Sequence, residues 1–110
     1  MRIRLKLQDN PQHLALAADL VRCLANPYRL RIVEKIWRKE ASVGELSRFL
    51  SLSQSALSQH LAILRASNIV STRRHMQTIY YTLSSPAAVE VLEALQDIFS
   101  EERAAERTDF

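Results

Sequence analysis

Apolar positions along the chain fall into helical periods over most of its length and into a strand-like pattern over one short stretch. Leu14, Ala17, Ala18, Val21 and Leu24 recur at spacings of three and four, the stripe of an amphipathic helix. Asn10–Pro11 stands ahead of it, a capping residue followed by proline at the first helical position. The same pair returns at Asn26–Pro27, before Leu30, Val33, Ile36 and Trp37. That second helix is expected to end near Arg38-Lys39-Glu40, where basic side chains suit the negative helix end. Ser42-Val43-Gly44-Glu45 is a capping box, which opens a short third helix with Leu46, Phe49 and Leu50 turned inward. After Ser51-Leu52, Ser53 caps a fourth helix carrying Leu57, Leu61 and Leu64 on one face, and Asn68 is suited to end it.

From there the period changes. Residues 69–74 and 78–83 are rich in β-branched and aromatic side chains and predict two strands of a hairpin. Their connection, His75-Met76-Gln77, has no Gly, Asn or Pro, which leaves the turn type open and predicts a mobile tip. Ser85–Pro86 then starts a last helix with Ala88, Val91, Leu92, Leu95, Ile98 and Phe99 on its stripe. Two short helices joined by a few residues, the second capped and polar-faced, make a helix-turn-helix, and a hairpin directly behind it is a wing. The predicted fold is mainly α with a β-hairpin wing: four helices, the hairpin, and a fifth helix. Residues 1–10, with Arg2, Ile3, Arg4, Leu5, Lys6 and Leu7 alternating, form a short strand or a flexible basic arm that orders only on a partner. Residues 11–102 form the winged domain, with outer helices at 11–25 and 86–102, and 103–110 form a polar tail.

Composition narrows the function. A chain of 110 residues makes one domain with a modest core. One Gly and three Pro disfavour a turn-rich all-β fold, and the single Cys excludes an internal disulfide or a multi-Cys metal cluster. No apolar run approaches the roughly 18 residues of a membrane helix, and the N-terminus lacks a signal-type apolar block, so a cytoplasmic protein is expected. The net charge of +3 decides little, but its distribution matters. Between Glu45 and Glu90 there is no carboxylate, while Arg48, Arg65, Arg73 and Arg74 fall inside that interval. Such a segment is an electrostatic footprint for a polyanion.

The first two turns of the fourth helix add the chemistry of reading. Gln54, Ser55, Ser58 and Gln59 lie off the apolar stripe and can both donate and accept hydrogen bonds, as base edges and phosphates require. Taken alone, the same residues also suit an ordinary solvated helix face. Lone His60 has no second metal ligand three or four residues away, so a structural role is expected of it.

In this order, Leu24-Ala25-Asn26-Pro27-Tyr28-Arg29-Leu30, Ser42-Val43-Gly44-Glu45-Leu46, residues 52–61 (LSQSALSQHL), Leu64-Arg65, residues 69–74 (IVSTRR) and Tyr80-Tyr81 resemble the ArsR/SmtB-type winged-helix transcriptional repressors over residues 14–100. The wording of the segments looks most like the NolR/HlyU/BigR-like branch. The resemblance implies a homodimer whose first and last helices pack across a two-fold axis through Leu14, Ala17, Val21, Val91, Leu92, Leu95, Ile98 and Phe99. Those two stripes together also exceed what a monomer of this size readily buries. Two recognition helices would then enter successive major grooves of a palindromic operator, with half-sites roughly 34–36 Å apart.

Carried onto this chain, the family pattern makes Ser53, Gln54, Ser55, Ser58 and Gln59 the reading residues. Gln suits adenine, so an A/T-containing half-site is expected. Arg73 and Arg74 would reach phosphates or a narrow minor groove from the wing, and alternation leaves only one of them needed there. Arg65 suits either a DNA contact or a solvated helix end. The resemblance stops at the effector. Metal-sensing relatives place Cys clusters on the third helix or His-containing pairs on the last, and redox-sensing relatives pair a Cys on the second helix with one near the last; this chain has none of these. No bound metal or cofactor is therefore expected, and control through the protein's own abundance or by competition for DNA fits best. Cys23, beside the first helix's stripe, is expected to be a small buried residue, with a Cys23–Cys23 bridge between subunits as the alternative. An anti-repressor or activator, and a winged-helix protein-interaction module, stay open beside the repressor. An enzyme does not: no nucleophile–base constellation or phosphate loop is present.

Overall fold

Capping side chains set where the helices begin. The computed structural model describes residues 6–104, with the side chains of 103 and 104 outside the description. Residues 1–5 of the predicted arm therefore lie outside the described residues, as do positions 105–110 of the predicted tail. A single 3-10 turn, Leu7–Asp9, leads into helix α1, Pro11–Leu24, where the Asn10 side chain accepts hydrogen bonds from the backbone N–H groups of Gln12 and His13. Asn26 does the same for Tyr28 and Arg29 at the start of α2, Pro27–Arg38. Helix α3, Val43–Leu50, has both halves of the Ser42/Glu45 capping box, and α4, Gln54–Ala66, is capped by Ser53. Each cap satisfies donors that would otherwise be unpaired.

Strands β2, Val70–His75, and β3, Thr78–Leu83, pair antiparallel with Val70 opposite Leu83 and His75 opposite Thr78. His75, expected in the turn, is the last strand residue. The turn is only Met76-Gln77, and Met76 adopts φ 58° to close it. A two-residue hairpin turn needs positive φ, and without a Gly or Asn a long side chain takes the strained position. A two-residue strand β1, Ala41–Ser42, was not expected; it pairs with Tyr80 and Tyr81 and completes a sheet of order β1-β3-β2. Helix α5 is Pro86–Ile98, shorter than expected, and a separate turn of helix α6, Glu101–Ala104, follows it.

The core gathers Ile32, Val33 and Ile36 of α2, Leu46 and Leu50 of α3, Leu57, Leu61 and Leu64 of α4, Ile69, Tyr81, and Ala88 and Leu92 of α5. Ile32, absent from the predicted stripe of α2, is fully buried, while Leu30 and Trp37 sit at the core margin. Phe49 departs from expectation more clearly. It is 43% exposed, because Leu46 and Leu50 already fill the inward side of a two-turn helix. Its ring lies beneath Arg31 and Lys35, whose charged ends stand 5.1 and 5.0 Å from the ring centre.

On α1 the inward face is Leu20, Cys23 and Leu24, so of the predicted stripe only Leu24 reaches the core. Leu14, Leu16 and Val21 stay exposed, Val21 at 61%, as does Phe99 just beyond α5 at 60%. Leu30, Leu92, Leu95 and Phe99 line an open apolar groove of about 440 Å³ between α2 and α5.

Candidate nucleic-acid interface

Helix α4 meets the rest of the chain through Leu57, Leu61 and Leu64, all buried. With that face committed, Ser53, Gln54, Ser55, Ser58 and Gln59 are all exposed. Gln54 with Ser58, and Ser55 with Gln59, stand one turn apart and form two adjacent polar rows. The Ser53 Oγ accepts the N–H of Ala56 at 3.1 Å, which leaves its own hydroxyl proton to donate outward. The N-terminus that these residues surround also carries the positive end of the helix dipole. Arg65 is exposed in the last turn of α4, close to the negative end.

Two further elements fix how α4 sits. The short link from α3 is tied by the Ser47 hydroxyl, which donates to the Leu52 carbonyl, and by Ser51 in the left-handed region at φ 55°. At its far end, Asn68 takes φ 56° and turns the chain into the wing, as a helix-terminating Asn should.

The two wing arginines part company. Arg73 faces Tyr80, its cross-strand partner, with the guanidinium 4.6 Å from the ring centre. Its Nε and a terminal nitrogen donate to the two carboxylate oxygens of Glu40, a bidentate pair. That hydrogen bond, above all, holds the Glu40 carboxyl below its ordinary range and raises the pKa of Arg73. Arg74 projects on the other side of the pleat, is exposed, and donates from Nε to the Met76 carbonyl at 3.0 Å. Among the described residues, no carboxylate is paired with Arg74.

Sequence reasoning overlooked Glu40 and Arg29. Glu40 precedes the carboxylate-free interval, yet β1 pairs beside β3 and brings it back against the wing. Arg29, in the first turn of α2, donates from Nε to the Cys23 carbonyl at 2.6 Å and from Nη2 to the Arg22 carbonyl at 3.4 Å. Its Nη1 lies 3.2 Å from His60 Nδ1 on α4, and the Tyr28 ring faces the same imidazole with centres 5.6 Å apart. His60 is held below the ordinary histidine pKa, first by burial and then by the Arg29 charge.

Of the residues expected on the outer face of the first and last helices, Leu14, Val21 and Phe99 are exposed and Ala17, Leu95 and Ile98 partly so. Leu92 is buried in the chain's own core and Val91 packs against it. Cys23 is buried too, its sulfur 2.9 Å from the Ser67 hydroxyl, so a bridge between two copies would first require α1 to leave its seat. Among the described residues no group of three or more His, Cys, Asp or Glu could hold a metal ion, and no helix is long and apolar enough to cross a membrane.

Known proteins resemble this arrangement closely. The chain is 50% identical over 90 residues to nodulation protein NolR of Rhizobium meliloti, covering 82% of this chain and 74% of that protein. It is 45% identical over 95 residues to transcriptional activator HlyU of Vibrio cholerae, covering 86% and 88%. The crystal structure of the transcriptional repressor BigR from Xylella fastidiosa superposes with a TM-score of 0.77 at 37% identity, over 86% of this chain and 97% of that one. Residues 26–72, which run from the cap of α2 into the first wing strand, match the family described as "Bacterial regulatory protein, arsR family". The winged-helix arrangement is thus shared with regulators of transcription, and the chain belongs to the arsR family of bacterial regulatory proteins, which bind DNA and are not enzymes.

Proposed function

We propose that the protein is a homodimeric repressor that reads a palindromic, A/T-containing operator in the cytoplasm without a bound metal or cofactor. The observation that carries this reading is the outward face of α4: five neutral hydrogen-bonding side chains at a helix N-terminus, on a helix with no carboxylate. Gln54, Ser55, Ser58 and Gln59 read base edges and nearby phosphates, Gln pairing with adenine N6 and N7. Ser53 donates to the backbone, and Arg74 supplies a sequence-independent phosphate contact from the wing. Arg65 adds positive charge along the same helix, whereas Arg73 is held by Glu40 until a phosphate displaces it.

A second copy of the chain covers the apolar surface that the monomer leaves open. Leu14, Ala17 and Val21 of α1 and Leu95, Ile98 and Phe99 at the end of α5 form that surface, while Val91 and Leu92 support it from beneath. Two-fold symmetry then makes the operator a palindrome, with half-sites one helical turn apart.

Selection of randomised duplexes with the full-length chain, at two salt concentrations and with no added ligand, tests the reading. A palindromic A/T-containing motif is the expected result. Salt-sensitive binding with no motif would overturn the reading role of α4, and no binding at low salt would turn the winged domain into a protein-interaction module. The relative HlyU is named an activator, which favours a second reading in which the same contacts relieve repression. The position of the recovered operator relative to the promoter separates the two.

A further inference from the structure

The three leucines under α4 settle which side of the helix faces the core, but apolar contacts are non-directional. They leave the helix some freedom to roll and slide, and a base-reading face is sensitive to such movements on the scale of an ångström. Directional bonds remove that freedom. Among the described residues, two polar side-chain contacts tie α4 and its cap to the neighbourhood of α1, and both arrive near the C-terminal end of α1. One is Cys23 Sγ to Ser67 Oγ at 2.9 Å, at the cap of α4. The other is the Arg29 guanidinium, which donates to the Cys23 and Arg22 carbonyls with two nitrogens and faces His60 Nδ1 with the third.

We infer that Arg29 and His60 are positioning residues for the recognition helix, fixing the rotation at which α4 presents Gln54, Ser55, Ser58 and Gln59. His60 adjoins Gln59 in sequence and lies at the edge of the buried stripe. A bond made there sets the angle of the exposed rows directly. Arg29 is itself anchored, because the last carbonyls of α1 need donors and the negative helix end attracts its charge. The setting of α4 is in this way referred to the end of α1, the helix whose outer face awaits a second copy. The inference rests on the proposed reading role of α4.

The contact has a chemical requirement. Guanidinium nitrogens only donate, so Nδ1 must accept and the imidazole must be neutral with its proton on Nε2. A second proton would occupy Nδ1 and set two cations against each other. The groups facing His60 are Arg29 and the Tyr28 ring from α2, with Arg22 and Cys23 of α1 entering through the carbonyls that hold Arg29. Folding therefore favours neutral His60. The contribution is complete above the ordinary histidine value of about 6.5 and is lost as the pH falls through the lower folded value.

The test uses the full-length chain, the duplex recovered by selection and a scrambled duplex of equal length, with the ratio of the two affinities as readout. At pH 7.5, Arg29→Ala and His60→Leu should each lower the ratio about tenfold, the scale of a lost charge-assisted bond, mainly through the selected duplex. His60→Asn keeps an acceptor near the Nδ1 position but does not titrate. It should hold the ratio within about twofold and abolish the fall expected of the wild type as the pH drops through the lowered His60 value. Imidazole ¹⁵N shifts of the free protein should report the Nε2–H tautomer, with a titration midpoint that rises in Arg29→Ala. The tautomer and the His60→Asn comparison remain decisive should Arg29→Ala fail to fold. An unchanged ratio in His60→Leu, the same acid fall in His60→Asn, or an Nδ1–H tautomer would each overturn the assignment. A wild type that prefers neither duplex would instead remove the reading role of α4 and this inference with it, while the tautomer result would still report on the bond itself.

Discussion

Helix α4 turns Leu57, Leu61 and Leu64 to the core and only neutral polar side chains outward from its first two turns, whereas the wing exposes nearly all of β2 and the start of β3 and carries its chemistry on two arginines. The helix is seated by burial and held by directional contacts at its middle and at its cap. The wing is fixed at its base by Val70 and Tyr81, and its tip is closed by a Met at positive φ. Neutral groups discriminate only when they are held in place, because a misplaced hydrogen bond contributes nothing. A charge acts over several ångströms and tolerates a loose support. On the proposed function, the helix would supply selectivity and the wing affinity.

The most severe way to break the comparison is to remove the seat of the helix. Leu57 is fully buried, and Leu57→Ala should destabilise the protein by about 2–5 kcal/mol, through lost transfer energy and a residual cavity. Urea unfolding monitored by circular dichroism would show it as a lowered midpoint at unchanged slope. Both selective and non-selective DNA binding should fail together. Loss of selectivity with unchanged stability would mean that Leu57 does not seat the helix.

Next come the reading side chains. Gln54→Ala or Ser55→Ala should weaken binding to the selected duplex by about 1–3 kcal/mol per good base contact and relax the preferred sequence. Stability should hardly change, because both residues are exposed and neither caps the helix. A uniform loss on all duplexes would transfer these residues from bases to phosphates. Arg74→Ala should do what these two do not: weaken binding to every duplex alike and flatten the salt slope by about one unit. A changed sequence preference at constant slope would give the wing a reading role and dissolve the division of labour.

The helix was the more legible of the two regions because its determinants are local. Ser53, the leucine spacing and Asn68 each act within a few residues, so cap, face and end can be read from neighbours along the chain. The same holds for Asn10–Pro11, Asn26–Pro27 and the Ser42/Glu45 box. What escaped depends on distant pairing. Ala41–Ser42 has no strand signal of its own and becomes β1 only beside Tyr80 and Tyr81. Arg29 reads as an ordinary first-turn residue until His60, 31 positions later, is brought against it. The charge interval misled in the same way. It is empty of carboxylates along the chain, but the sheet brings Glu40, 33 positions away, onto Arg73.

That ion pair offers the finest division between helix and wing. Both partners are partly exposed, so Glu40→Gln should leave the unfolding midpoint nearly unchanged. Its effect should fall on DNA instead. With the carboxylate neutralised, Arg73 is freed toward phosphates and a negative charge leaves the wing. Affinity for scrambled duplexes should rise, and the salt slope should steepen by about one unit. Binding to the selected duplex should gain less than the scrambled one if there the phosphate already competes for Arg73, so selectivity falls although no reading residue has changed. The low carboxyl pKa keeps Glu40 ionised near neutrality, and the wild-type pair loosens only as the pH falls through that lowered value. Salt titrations at pH 7.5 with both duplexes decide the matter. Weaker binding to both would mean that Glu40 aims Arg73 at the backbone rather than restraining it, making the wing as preorganised as the helix.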